Sequence, residues 1–276
     1  MKKRKILSDN FSLKGKNIVL TGSAGLLGNQ YSHRLSHAGA NVILVDIDKK
    51  RNEQLCKKLI KKYKTKARSF VVDISKKDQV VKLKNIVNKD FKKIHGLVNN
   101  AAFTTKISIE TSSNSYLPLE SFPIDIWQKS LDINLTGTFL CCQQFGSLMA
   151  KQGGGSIVNI ASTYGIVGVD QRIYGKSKIN SPVSYAATKG AVINLTRYLA
   201  AYWQRKNVRV NTLSPGGVQD ISYQSKEFVK NYSEKTMLGR MANKTEYNGA
   251  ILFLLSDASS YMTGANLVID GGWTAW

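Results

Sequence analysis

The strongest constraint on this chain is an alternation of short apolar, β-branched runs with longer helical stretches. Strands are predicted at Asn17–Thr21, Asn41–Val45, Arg68–Val72, Gly96–Asn99, Ser156–Ile160, Val208–Leu213 and Leu267–Ile269, with helices near 26–38, 49–64, 76–91, 123–151, 183–206 and 244–256. The early strands are continuous apolar runs without polar alternation, as expected of strands covered on both faces of a parallel sheet. Strand–helix alternation implies right-handed βαβ units. No Pro-rich or Ser-rich linker divides the chain. The reading is a basic tail over 1–11 and one α/β domain over 12–276. Three irregular stretches, 103–122, 163–183 and 217–240, follow strands, and the carboxyl ends of strands are where open α/β sheets bind ligands.

The first strand runs into Gly22-Ser-Ala-Gly25-Leu-Leu-Gly28 and then a helix. A tight turn there brings backbone N–H groups and a helix N-terminus against a pyrophosphate, and side chains would block the approach. Asp46 ends the next strand, 24 positions after Gly22. A carboxylate at that point accepts hydrogen bonds from ribose hydroxyls and repels a 2′-phosphate. Ile47 follows it rather than a basic residue, so NAD is favoured over NADP, with Lys49 and Lys50 keeping NADP open. Asp73 and Ile74 are placed beside an adenine. Asn100 and Ala101, in Asn99-Asn100-Ala101-Ala102, fall under the cofactor sugar.

At the other end, Tyr185 and Lys189 lie four apart on one helix, on the same face. An ammonium beside a phenol favours the phenolate, so Tyr185 is expected to have a lowered pKa and to act as a general acid/base. Ser162, after the strand Ser156–Ile160, is positioned to offer a hydroxyl to a substrate oxygen.

Thr21-Gly22…Gly28, Asn99-Asn100-Ala101, Asn134 in Leu-Asp-Ile-Asn-Leu-Thr-Gly, Ser162, Tyr185…Lys189, Ser214-Pro215-Gly216-Gly217 and Asp270-Gly271-Gly272 occur in this order. The set resembles the classical short-chain dehydrogenase/reductase family over roughly 12–276. The resemblance implies a single doubly wound, Rossmann-like domain with a seven-stranded parallel sheet. It implies catalytic roles for Tyr185 (proton exchange), Ser162 (orienting the substrate oxygen), Lys189 (holding the nicotinamide ribose and depressing the pKa of Tyr185) and Asn134 (holding a relay water). It implies cofactor contacts from Gly22, Gly25, Leu27, Gly28, Asp46, Asp73, Ile74, Asn100, Ala101, Tyr185, Lys189, Pro215, Gly216 and Val218, and hydride transfer between nicotinamide and an alcohol or ketone carbon.

Three departures stand out. Leu26 occupies a position where the family turn has glycine, and Gly25 comes one place earlier. The third motif ends in Ala102 where the family has glycine. Ser162 and Tyr185 are 23 residues apart, about twice the usual family spacing. The extra loop, the Ala-Gly-Leu-Leu-Gly turn and the Asn-Ser-Pro-Val-Ser-Tyr approach look like a subgroup linked to flagellin modification and surface-polysaccharide synthesis. That likeness implies a polar, sugar-like substrate. Gln171, Arg172 and Tyr174, as loop residues near a site, are candidates to bind hydroxyls or a phosphate, with simple solvent exposure as the alternative. The stretch 217–240 reads as a mobile lid, short of helix caps.

Forty Lys+Arg against eighteen Asp+Glu give a net charge of +22, which raises nucleic-acid binding as a rival. Between Lys49 and Lys93, seventeen basic residues meet four acidic ones. Apolar positions interleave with them at helical spacing, so amphipathic helices with solvated lysine faces are favoured, without nucleic acid as a partner. A non-catalytic dinucleotide sensor is the other rival, and the Ser162, Tyr185, Lys189 and Asn134 set argues against it. The longest apolar run, Ala250–Leu255, is six residues, far short of the about 20 a membrane helix needs. Three cysteines without a C-x-x-C pair suggest no disulfide scaffold, and a cytoplasmic location is expected. His33 and His37 have two-ligand spacing but suggest no third ligand, so no metal is expected. In the family, the helices that here carry Trp127, Phe139 and Phe145, and Tyr198, Tyr202 and Trp203, pair across a subunit interface. A homodimer or homotetramer is therefore implied, with core packing as the other explanation of these aromatics.

Overall fold

The computed structural model describes residues 10–104, 118–177 and 179–276. Most of the expected basic tail and most of the 103–122 loop lie outside the described residues. Seven strands, β1 (Asn17–Thr21), β2 (Asn41–Asp46), β3 (Ala67–Val71), β4 (Gly96–Asn99), β5 (Gly155–Ile160), β6 (Val208–Pro215) and β7 (Asn266–Ile269), form one sheet in the order β3-β2-β1-β4-β5-β6-β7. Every pairing is parallel. All seven predicted strands are present, two with the expected ends and five with ends moved by one or two residues.

Helices α1 (Leu26–His37), α2 (Lys49–Tyr63) and α3 (Lys77–Phe91) connect the first strands. The long segment α4 (124–151) alternates α-helical turns with two π-helical stretches, Leu131–Gly137 and Cys142–Gly146. Helices α5 (Val183–Tyr202), α6 (Lys226–Ser233) and α7 (Asn248–Leu255) complete the set. One core layer packs Leu35, Leu59, Ile251 and Leu254 from α1, α2 and α7 against the sheet. The opposite layer uses Leu83, Phe145, Met149, Leu199 and Trp203 from α3, α4 and α5. This two-sided cover explains why Ile18, Val19 and Leu20 are all fully buried.

The lysine-rich helices behave as amphipathic elements. In α2, Leu55, Cys56 and Leu59 face the core, while Lys57, Lys58, Lys61 and Lys62 are exposed. Asp48 caps its first turn, accepting from the Arg51 N–H at 2.9 Å. His33 and His37 both sit edge-on to Tyr63, at ring distances of 5.7 and 5.9 Å. Among the described residues no group of three metal-ligating side chains occurs, and no helix is long and apolar enough to cross a membrane.

One expectation needs correcting. The stretch 217–240 is not uniformly irregular: it contains α6, whose start is capped by the Ser225 hydroxyl accepting from the Phe228 N–H at 3.0 Å. The aromatics of α4 and α5 divide between core and surface: Phe145 and Trp203 are core residues at 0% and 5% exposure, whereas Phe139, Tyr198 and Tyr202 are exposed. The buried sulfurs pack in the same layer. Cys141 and Cys142 are fully buried, and the Cys142 Sγ lies 3.1 Å from the Asn99 amide nitrogen.

Gly146 shows how closely α4 approaches α5: a Cβ there would lie 2.1 Å from the Trp203 ring. Alanine normally favours a helix over glycine, but here overpacking should prevail. G146A is expected to lower the unfolding free energy by about 1–3 kcal/mol, measured by urea denaturation. A stabilised variant would show that the contact yields freely.

Candidate functional site

Two clusters form at the carboxyl ends of the strands. The first lies at the β1/β4 switch, where connections leave the sheet toward opposite faces. Gly22 has φ 63°, and a Cβ on it would lie 2.6 Å from the Ala101 Cα. A Cβ on Gly28 would lie 2.0 Å from the Gly22 carbonyl oxygen. The turn is therefore closed to side chains at both positions. The Thr21 hydroxyl accepts from the N–H groups of Asn100 (3.0 Å) and Ala101 (3.1 Å). The Asn100 amide donates to the carbonyls of Thr21 and Gly22, at 3.1 and 3.0 Å. Gly25 starts α1 without a side-chain cap, which leaves its first N–H groups for an anion. Leu27 packs against the core beneath the turn, and Leu26 is 37% exposed.

Asp46 stands beside this turn. Its carboxylate accepts from the N–H groups of Ala24 (2.8 Å) and Asp48 (3.0 Å). The sequence reading missed Arg51. Its guanidinium donates to the Ala24 carbonyl at 2.7 Å, placing a cation at the Gly22–Gly28 turn, close to Asp46. Only the fold-back of the first turn of α2 reveals this, because Arg51 lies five positions beyond the strand end. Asp73 closes a turn by accepting from the Ser75 N–H and hydroxyl, at 2.9 and 2.7 Å. Ile74 packs under Gly137, where a Cβ would come within 2.7 Å of its side chain. A glycine cradle, an uncapped helix start and the Asp46 carboxylate beside them fit a dinucleotide.

The second cluster gathers at the end of β5. Ser162, 7% exposed, accepts from the Tyr164 N–H at 3.2 Å and hydrogen-bonds the Tyr185 phenol. Lys189 Nζ lies 5.5 Å from the Tyr185 ring centre and donates to the Ile160 carbonyl at 2.7 Å. The three side chains are thus brought together. The expected pKa direction is overturned, however. Burial pushes the Tyr185 phenol up, and the Ser162 hydrogen bond opposes this only in part. Lys189 is itself buried, which lowers its pKa to about 8, and its hydrogen bond goes to a backbone carbonyl. The phenol holds its proton at neutral pH.

Asn134 lies on the first π-helical stretch of α4. Its amide accepts from the Phe103 N–H at 2.6 Å and donates to the Phe103 carbonyl at 3.0 Å and the Thr188 hydroxyl at 3.3 Å. It joins the strand-β4 loop to the helix bearing Tyr185. Pro215 ends β6, and Gly216 packs against Asp270, where a Cβ would lie 2.8 Å from its Cα. Val218 bridges to Ala242. The loop candidates are already engaged. Gln171 accepts from the Ser181 N–H at 2.9 Å, Arg172 is paired with Asp170, and Tyr174 packs on Phe228 at 5.3 Å.

Comparison with known proteins agrees with this geometry. Residues 22–274 match a family model described as enoyl-(acyl carrier protein) reductase. The chain belongs to the short-chain dehydrogenase/reductase family. These are nicotinamide-dependent oxidoreductases acting on alcohol and carbonyl groups. The chain is 33% identical to a D-threitol dehydrogenase of Mycolicibacterium smegmatis over 268 residues, covering 96% of this chain and 95% of that one. It is 32% identical to an NAD-dependent glycerol dehydrogenase of Listeria innocua, covering 96% of each. A gluconate 5-dehydrogenase from Burkholderia cenocepacia, solved with NADP and tartrate, superposes with a TM-score of 0.85 at 28% identity, covering 98% of this chain and 99% of that one.

The buried ammonium makes stability depend on pH. The folded pKa of Lys189, about 8, lies below the ordinary value of 10.5. The folded state therefore releases this proton more readily, and the burial penalty of roughly 3 kcal/mol is fully present below about pH 8. It fades as the pH rises toward 10.5. The unfolding free energy of the wild type should gain roughly 3 kcal/mol relative to K189M between pH 7 and 10.5, read from paired urea titrations. A constant difference would count against a buried ammonium.

Proposed function

We propose that the protein is an oxidoreductase that interconverts a secondary alcohol of a short, neutral polyol or sugar with the matching ketone, with NAD preferred to NADP. The meeting of Ser162, Tyr185 and Lys189 beside the glycine cradle carries this reading. When bound, the nicotinamide supplies the hydride chemistry. Tyr185 holds its proton at the phenolic oxygen, ready to give it to a carbonyl oxygen during reduction and to take it back during alcohol oxidation. Ser162 orients that oxygen, and the Lys189 cation stabilises negative charge arising on the phenol. Asn134 acts as a positioning group through Phe103 and Thr188.

The neutral substrate class rests on what surrounds Tyr185. The phenols of Tyr164, Tyr174 and Tyr223 lie near it. These hydroxyls suit a polyhydroxylated neutral chain as hydrogen-bond partners, while Asp170 is taken up by Arg172 and Lys235. The threitol and glycerol dehydrogenases among the relatives support the same class. A place in surface-glycan synthesis is supported by the long Ser162–Tyr185 loop. Exposed Phe139, Tyr198 and Tyr202, the last two stacked at 6.2 Å, support self-association through α4 and α5.

Y185F is expected to lower kcat by about a hundredfold or more while NADH binding, followed by fluorescence, persists. Unchanged turnover would remove Tyr185 from the chemistry. The wider test is a screen of NAD-linked turnover over three- to six-carbon polyols, sugars, sugar phosphates and nucleotide sugars. Binding of NADH without turnover of any substrate would overturn the enzymatic reading.

Cofactor choice follows from opposed charges. Asp46 repels a 2′-phosphate, and Arg51 attracts it. NADP should therefore remain a weaker alternative. R51A should raise the KM for NADP about tenfold and leave that for NAD nearly unchanged. Equal effects on both would show that Arg51 has no contact with the 2′ position.

A further inference from the structure

The long loop between Ser162 and Tyr185 makes a set of contacts that its length alone does not require. Two short 3₁₀ turns within Gln171–Ser177 kink at Gly175, where φ is 55°. They rest on α6. A Cβ on Gly175 would lie 2.2 Å from a Glu227 carboxylate oxygen, so the kink seats the loop backbone against that helix. Asn231 of α6 donates to the Ile173 carbonyl at 3.3 Å, and Tyr174 packs on Phe228.

Asp170 accepts from the Arg172 side chain at 2.8 and 2.9 Å, and Lys235, just beyond α6, reaches it at 3.0 Å. Its side chain is only 19% exposed, so this pair is screened less than an ordinary surface pair.

Tyr232 of α6 completes the connection. Its ring stacks on Trp273 at 4.3 Å, and its hydroxyl accepts from the Gly217 N–H at 2.6 Å. The same hydroxyl pairs with Thr163, next to Ser162. Ile173, Tyr232, Met241 and Trp273 are all buried in a core separate from the two sheet layers. A segment with its own core, an ion pair and a hydrogen bond to the site is held in place rather than free to swing.

We propose that the loop 168–177 is a clamp that locks α6 over the reaction centre, with Asp170 and Tyr232 as positioning residues that fix the substrate pocket before the polyol arrives. Pre-closure lowers the cost of ordering the cover on binding. Its loss should therefore appear in KM, while kcat, set at Tyr185, is retained.

The proposal rests on the polyol reading above for its kinetic arm only. Hydrogen exchange of the intact protein, followed by mass spectrometry over 226–235, tests the clamp without any substrate. D170N and K235M should each speed exchange in this segment about three- to fivefold, with D170E and K235R restoring protection. With a polyol that the wild type turns over, D170N should raise KM by a similar factor and leave kcat within about twofold. Y232F should do the same, since it leaves the Gly217 N–H without its acceptor.

Unchanged exchange in both D170N and K235M would overturn the clamp, as would a fall in kcat at constant KM. A wild-type enzyme that turns over no polyol would count against the function proposed above, and exchange would then decide the clamp by itself.

Discussion

Lys189 carries an ammonium into a site that is 3% exposed, where the Ile160 carbonyl is its hydrogen-bond acceptor. The chemical end of the molecule depends on keeping it there. Ile160 ends β5, which is paired with β4 on one side and β6 on the other, so its carbonyl is fixed by the sheet. Helix α5 lies along β6 and brings Lys189 and Tyr185 to that carbonyl together. Close backbone packing holds the helix: a Cβ on Gly165 would sit 2.7 Å from the Lys189 backbone. A strained electrostatic element is thus placed by rigid neighbours, and its cost is borne by the folding of the whole sheet.

The glycine turn, at the same carboxyl end of the sheet, relies on close packing. Gly22, Gly28 and Ala101 leave no room for larger side chains. The Thr21 and Asn100 hydrogen bonds tie β1 to β4 at the point where their following segments separate. These are the first and fourth strands in sequence, yet neighbours in the sheet. That crossover opens the crevice, and the glycines keep it bare.

Much of this was legible in the residues. Apolar runs covered on both faces marked β1, β2 and β4, because a buried parallel strand has no polar side to blur it. Ser162, Tyr185 and Lys189 were found from spacing and order along the chain, and the structure brings them together. What sequence did not show depended on folding back. Arg51 reaches the first turn only because α2 starts where it does. Helix α6 is a mere eight residues and draws its stability from Tyr232 and Phe228 packing on a loop distant in sequence, which local periodicity does not register. The pKa of Tyr185 was read from one neighbouring charge, whereas burial dominates. Aromatic content on α4 and α5 could not separate Phe145 and Trp203, which face the sheet, from Phe139, Tyr198 and Tyr202, which face outward.

The sulfur chemistry follows from the depth of the second core layer. Burial raises the Cys141 thiol, and it raises that of Cys142 to about 12 although Cys142 accepts a hydrogen bond from Asn99 and donates one to the Asn159 side-chain carbonyl. Cys56 is 8% exposed and is also pushed up by burial. Thiolates are the reactive form, so electrophiles and peroxides find little to attack while the fold is closed. Alkylation of these sulfurs then keeps time with the opening of the protein itself, and the molecule carries its own clock for unfolding in a reducing or an oxidising medium alike.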